Sequence, residues 1–213
     1  MKKTMSIIAC VFLATGISSG QTFKRVMMSM PRQIDPLVTQ SNISDALIYM
    51  EEGMECKLLN RFHKYATFEG DPTKSMTIRS SETSETTVTL LPCQDGDTLV
   101  CVVSTVKIGK ASDSQVDVYS NRWEKLDAGK YVTVPSLRDF MKEDMTDEGL
   151  REEVVRQLDI PLVAVSVLTD PLGLSFRLAS LDWVDHKTRE RVMSGVNTQI
   201  RMRWDGERFV KGE

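Results

Sequence analysis

The alternation of apolar and polar positions divides this chain into a leader, a helix, a long strand-rich stretch, and a second run of helices followed by strands. Lys2 and Lys3 precede an apolar run, Met5 to Ile17, broken only by Ser6, Thr15 and Gly16. Ser18-Ser19-Gly20 then supplies small residues. That order reads as a secretory signal peptide, residues 1–20, cleaved before Gln21. The apolar run is shorter than the roughly 20 residues a spanning helix needs. Ile7-Ile8-Ala9-Cys10 faintly resembles a lipoprotein box, but it would leave Val11-Phe12-Leu13 after the acylated cysteine, so cleavage near Gly20 is preferred. No later window is long and apolar enough to span a bilayer, and the mature chain is expected to be soluble.

Residues 21–30 show no clear period and read as an extended lead-in. Pro31 to Thr39 holds a helical turn interrupted by Pro36. A helix follows, capped by Thr39 or Ser41, with Ile43, Leu47, Met50 and Met54 at helical spacing and Gly53 placed to end it. Methionine is a flexible apolar filler, so this stripe reads as core. Strands are predicted at 58–68, 75–79, 86–92, 98–108 and 115–123. Asp95-Gly96 between two β-rich runs predicts a hairpin. A two-residue turn there would place Cys93 opposite Thr98 and Leu90 opposite Cys101. Ser80 to Thr87 reads as either an exposed edge or a loop.

Near residue 130 the pattern resets. Ser136 with Asp139 three residues on, just after Pro135, signals a helix start. A second helix is predicted from Asp147, with Leu150, Val154 and Leu158 on one face and Pro161 ending it. Strands follow at 162–168, 174–184, 198–204 and 208–210. Asp185 to Gly195 is either a short helix capped by Asp185 or a long hairpin arm. Pro31–Gly53 and Pro135–Gln157 have the same span, and each half closes on a β-run leading into Trp, at Trp123 and Trp204. The expected fold is therefore α+β with two similar halves, 21–130 and 131–213, each a helix-loop-helix packed on an antiparallel sheet. Duplication is the hypothesis, and helical pairs packed differently on their sheets would overturn it.

Composition narrows the chemistry. The chain has 213 residues, 27 basic and 30 acidic side chains, and a formal charge of -3. Losing Lys2 and Lys3 with the leader leaves 25 against 30, a charge of -5. No basic tract points to nucleic acid. Cys56, Cys93 and Cys101 remain after processing, an odd number that is not a disulfide framework. Cys101, within Leu99-Val100-Cys101-Val102-Val103, reads as a small buried hydrophobe. His63 and His186 are the only histidines and lie far apart, and no zinc spacing, nucleophile elbow or phosphate loop occurs. Asp95-Gly96-Asp97 is better explained by turn chemistry than by calcium. No catalytic residue, cofactor or metal ligand is assigned.

One constellation goes beyond packing. If Leu174, Phe176 and Leu178 share one strand face, and Ile200, Met202 and Trp204 another, then Arg177, Arg201 and Arg203 lie on the outer face of one sheet. Trp183 could join them. Trp and Arg dominate interfaces more than other residues do. A β-bulge near Ala179 would instead return Trp183 to the core.

Met30-Pro31, the stretch Asp45 to Met54, Leu90-Leu91-Pro92, Val100 to Val106, Tyr119 with Trp123, and Pro135 to Phe140 together resemble a family of exported proteins from anaerobic Gram-negative gut and oral bacteria, a domain of unknown function. The resemblance implies export in a two-membrane bacterium and carries no site residue. In outline the chain also looks like the tandem repeats of the secreted β-lactamase inhibitory proteins, an analogy of architecture only. The expectation is a non-catalytic, exported binding protein of the periplasm or cell exterior, with another envelope protein as partner. The runner-up is a carboxylate-dependent hydrolase of envelope polymers. A third reading is an inhibitor that docks one sheet face on an enzyme.

Overall fold

The computed structural model describes residues 19–212, with side chains from Thr22 onward. The leader expected at 1–20 lies outside the described residues, except for the backbone of Ser19 and Gly20. Helix α1, Ser19–Met28, replaces the extended lead-in expected at 21–30. Phe23, Val26, Met27 and Met30 are buried, and their spacing of three, four and seven residues is the helical signature. Helix α2, Gln40–Glu51, starts at Thr39. The Thr39 hydroxyl accepts the Asn42 N–H at 3.0 Å, and the Asn42 side chain accepts the Thr39 N–H at 2.9 Å, a reciprocal cap. Ile43 and Leu47 are buried, whereas Met54 falls beyond the helix and is exposed.

Six strands follow as an antiparallel meander in sequence order: β1 Cys56–Leu59, β2 Tyr65–Asp71, β3 Ser75–Arg79, β4 Ser84–Pro92, β5 Thr98–Ile108 and β6 Ala111–Ser120. The single strand expected at 58–68 is a hairpin. The Asn60 side chain accepts the N–H groups of Phe62 and Lys64 at 2.9 and 3.1 Å, and this local bonding turns the chain. The predicted hairpin at Asp95-Gly96 forms, but shifted by one residue. Cys93 N–H bonds the Asp97 carbonyl, so the loop is Gln94-Asp95-Gly96, with Gly96 at φ +89°. Leu90 therefore faces Val100, and Pro92 faces Thr98. The Ser80–Thr87 segment resolves into a turn and the start of β4.

In the second half α3, Leu137–Phe140, is a single turn, and α4, Glu148–Gln157, is capped by Asp147. Strands β7 Val163–Thr169 and β8 Leu172–Leu178 follow. Helix α5, His186–Ser194, then occupies the ambiguous 185–195 segment, capped by Asp185. Strands β9 Gln199–Trp204 and β10 Phe209–Lys211 complete a four-stranded antiparallel sheet in the order β10-β9-β8-β7. The chain is thus α+β with antiparallel sheets of six and four strands and five helices.

The expected equivalence of the two halves is coarser than the sequence suggested. α1 and α2 both precede their sheet. In the second half α4 packs instead with α5, which is inserted between β8 and β9, and Arg191 of α5 bonds Glu153 of α4 at 2.7 Å. One helical layer thus follows from consecutive helices and the other from an insertion, so the two pairs are built differently.

The six-stranded sheet is buried on both faces along its inner strands. Val100 and Val102 join the core under α1 and α2, while Cys101 and Val103 join the core shared with the second sheet. The facing edges of β6 and β7 are tied by side chains: Val163 N–H donates to Asp113 Oδ1 at 3.1 Å, and Val165 N–H to Ser114 Oγ at 2.9 Å. Two buried indoles close the structure. Trp123 Nε1 donates to the Val26 carbonyl of α1 at 2.9 Å, and Trp204 Nε1 to the Pro92 carbonyl at 2.7 Å.

Asp35, in the connection between α1 and α2, is buried, and its Oδ2 has no hydrogen-bond partner among the described residues. Burial raises its pKa, opposed by the Leu37 and Val38 N–H groups and the hydroxyls of Ser80 and Thr86. A carboxyl raised on folding favours the native state while both states are protonated. It loses that contribution as pH rises through the folded value. Asp35→Asn keeps the acceptor for Leu37 and removes the buried charge. It should raise stability at pH 7 by about 1 kcal/mol, and the gap should shrink as pH falls toward the ordinary carboxylate range. Urea unfolding across pH checks this, and a gap that widens in acid would refute it. Trp123→Phe, which removes the indole bond but leaves the Val26 carbonyl the N–H and hydroxyl of Ser29, should cost about 1 kcal/mol in the same assay.

Candidate functional site

Strands β8 and β9 set the candidate face. Their register pairs Gly173 with Arg203, Ser175 with Arg201 and Arg177 with Gln199. Leu174, Phe176 and Leu178 point into the core with Ile200 and Trp204, so Arg177, Arg201 and Arg203 project outward and are exposed, as the alternation predicts. Each arginine lies one same-face rung from the next, roughly 7 Å along the sheet. The floor between them is small: Gly173, Ser175 and, on β7, Ala164 and Ser166. A side chain at Gly173 would collide with the Met202 carbonyl, so glycine keeps this floor flat. Arg177 bonds Asp182 at 2.8 Å. Arg201 and Arg203 make no ion pair among the described residues.

Trp183 is not on a strand. The strand expected at 174–184 ends at Leu178, where a 3-10 turn, Ala179–Asp182, begins. The Ser180 hydroxyl explains the break: it accepts the Leu162 N–H and donates to the Ile160 carbonyl at 2.7 Å, drawing the chain off the sheet. Trp183 closes this turn and is 45% exposed, against 9% and 8% for Trp123 and Trp204. Its Nε1 lies beside Gly109 of the β5–β6 turn and has no bonding partner among the described residues. Asp182, its neighbour in sequence, takes both Arg177 and Arg189, so Trp183 and Arg177 share one end of the sheet. The expected bulge and return to the core do not occur.

The thiols offer no nucleophile. Cys56, Cys93 and Cys101 are free. Burial, aided by the charge of Asp117, pushes Cys101 up to about 12, and burial with Asp45 pushes Cys56 up to about 11. Burial, with the charge of Asp95, also raises Cys93. Such thiols stay protonated at neutral pH. Among the described residues, no group of three or more His, Cys, Asp or Glu is arranged to hold a metal. No helix among them is long and apolar enough to cross a membrane.

A cleft of about 660 Å³ opens at the other end of β8, where Leu172 begins the strand. Arg25 of α1, Lys74 of the β2–β3 turn, Asp97 of the β4–β5 loop and Asn121 after β6 converge there with several threonine hydroxyls. Asp97 is the one carboxylate among its lining residues, and no aromatic side chain lines it. No sequence pattern singled out Arg25, Lys74 or Asn121. The inward spacing of Phe23, Val26, Met27 and Met30 is the signal that would have placed Arg25 on an outward helix face.

The chain belongs to a family described as a protein of unknown function, DUF3256, whose model matches residues 16–209. It is similar to a solved structure titled as a domain of an uncharacterized protein from Porphyromonas gingivalis W83. That similarity has a TM-score of 0.76 at 22% identity and covers 90% of this chain and 98% of the other, so the two share a fold. No curated protein matches the chain.

Exposed side chains without partners contribute little to folding. Trp183→Ala and Arg201→Glu should each change unfolding stability by less than about 0.5 kcal/mol, and Trp183→Phe should remove the iodide-quenchable part of the native fluorescence. A destabilisation near that of a core substitution would show that Trp183 is structural.

Proposed function

We propose that this protein is a non-catalytic, exported binding protein of the bacterial envelope, docking an acidic surface of another envelope protein. The observation that carries the reading is the outer face of the four-stranded sheet. In a chain of net charge -3, Arg201 and Arg203 stand without ion partners on a flat floor of small side chains. The one Trp left largely exposed lies at one end of that sheet. Guanidinium groups form paired bonds with carboxylates, and an exposed indole supplies apolar area with a polar tip. Residues 21–130 act in this reading as the scaffold half, and residues 131–213 carry the face. The leader at 1–20 supports export to the periplasm or beyond. A partner enzyme held on this face would make the protein an inhibitor.

The carboxylate-dependent hydrolase needs two carboxylates across a cleft, roughly 5–10 Å apart. The cleft at the start of β8 presents one, Asp97, and lends that reading no support.

Cross-linking in intact cells, then affinity capture and mass spectrometry, tests the proposal with the wild type beside Arg201→Glu/Arg203→Glu and Trp183→Ala. One envelope protein should be enriched by the wild type and lost about tenfold or more from the variants, as expected for interface hot spots. Equal recovery by all three would refute the face. Intact mass of the periplasmic or secreted protein should place its first residue at Gln21.

A further inference from the structure

The cleft at the start of β8 does not end at Arg25. A second hollow of about 430 Å³ adjoins it, lined by Arg25, Ser29, Asn121 and Arg122. Arg25 and Asn121 belong to both, so the two form one groove beside α1. Along it stand three cations, Arg122, Arg25 and Lys74, against the single carboxylate of Asp97. Arg25 and Arg122 make no ion pair among the described residues. Lys74 pairs loosely with Asp71 Oδ2 at 3.9 Å, while the N–H and hydroxyl of Thr73 engage Asp71 Oδ1. The groove thus carries two arginines without ion partners and one loosely paired lysine, and it is open to solvent on one side.

We propose that this groove binds a short acidic peptide segment in an extended conformation. Cations spaced along a groove suit a ligand with several separated negative groups better than one compact anion. The Asn121 amide and the Thr22 and Thr98 hydroxyls offer bonds for peptide carbonyl and N–H groups. No aromatic side chain lines either hollow, so a sugar ring would find no stacking surface. Leu172, which lines the groove, shares the core-facing side of β8 with Leu174 and Phe176, while Arg201 and Arg203 project from the outer side, so this site is distinct from the arginine face.

Fluorescence anisotropy on the mature protein tests this with a labelled hexapeptide of alternating Glu and Asp. The comparison ligands are its Gln/Asn counterpart, an oligogalacturonate of equal charge, and inorganic phosphate. The acidic peptide should bind saturably, weaken as salt rises, and bind more tightly than the other three. Arg25→Gln and Arg122→Gln should each weaken it about tenfold or more, the scale of a charged hydrogen bond. Arg201→Glu should leave it unchanged. Both variants replace exposed side chains, and an unchanged thermal melt confirms that they fold. No saturable binding, wild-type affinity in both groove variants, or tighter binding of oligogalacturonate or phosphate would overturn the proposal. Loss in Arg201→Glu with the groove variants inert would place the peptide on the arginine face. That outcome would refute the groove while leaving the proposed function standing.

Discussion

Strand β5 is the constraint on which the rest of the molecule depends, because it must bury both of its faces. Val100 and Val102 turn toward the helices, while Cys101 and Val103 turn toward the second sheet. A half-exposed antiparallel strand alternates apolar with polar residues, whereas a strand covered on both sides reads as continuous apolar sequence. Leu99 to Val103 is such a run. Leu91 and Leu90 repeat the arrangement on β4, one in each core. With two apolar faces to cover, one sheet demands two layers. The helices supply one and the four-stranded sheet supplies the other. The thiol of Cys101 follows from the same position: it is small enough for a crowded middle layer, and burial holds it protonated.

Two-sided burial creates an edge problem that side chains solve. Where β6 meets β7 the sheets do not continue one another by backbone pairing, and exposed edge N–H groups would be open to foreign strands. Asp113 and Ser114 accept the Val163 and Val165 N–H groups instead. The indoles of Trp123 and Trp204 do similar work on carbonyls, each anchoring a different layer to the middle sheet. Trp204 ends β9, whereas Trp123 lies in the turn after β6, past the end of the strand expected to reach it, and both bury a large ring while satisfying its one polar atom. Trp183 lacks both features.

The elements legible in the sequence are those specified by local chemistry. The Thr39, Ser136, Asp147 and Asp185 caps, the apolar run of β5 and the Leu174/Phe176/Leu178 alternation each carry their own signal, and the structure places elements there. The outward projection of Arg177, Arg201 and Arg203 followed from alternation alone. What was not legible depended on bonds between distant residues or on side chains competing with the backbone. Asn60 split one predicted strand into a hairpin, Ser180 pulled Trp183 off another, and a three-residue loop moved the β4–β5 register by one. The α1 spacing was present but short, and it lay beside an apolar leader whose composition masks a helical period. The groove was invisible for a simpler reason: Arg25, Lys74 and the Asn121-Arg122 pair come from three separate segments that only the folded sheet brings together.

These placements divide the molecule's surface by charge in a way that net charge alone conceals. Of the arginines without ion partners among the described residues, Arg201 and Arg203 stand on the outer face of the second sheet, and Arg25 and Arg122 line the groove beside α1. At physiological salt, exposed charges more than about 8 Å apart act nearly independently. The arginine rungs are close enough to act together, and they project from the side of β8 opposite to Leu172, which lines the groove. Under the two proposals, a protein partner and a peptide segment occupy different sides of this sheet, and the rigid strand between them carries their coupling. The four-stranded sheet gains that rigidity from its seat on the two-faced middle sheet. Substitutions at Cys101 or Val103 should thus disturb recognition only through stability, and substitutions at Arg201 or Arg25 only through contact.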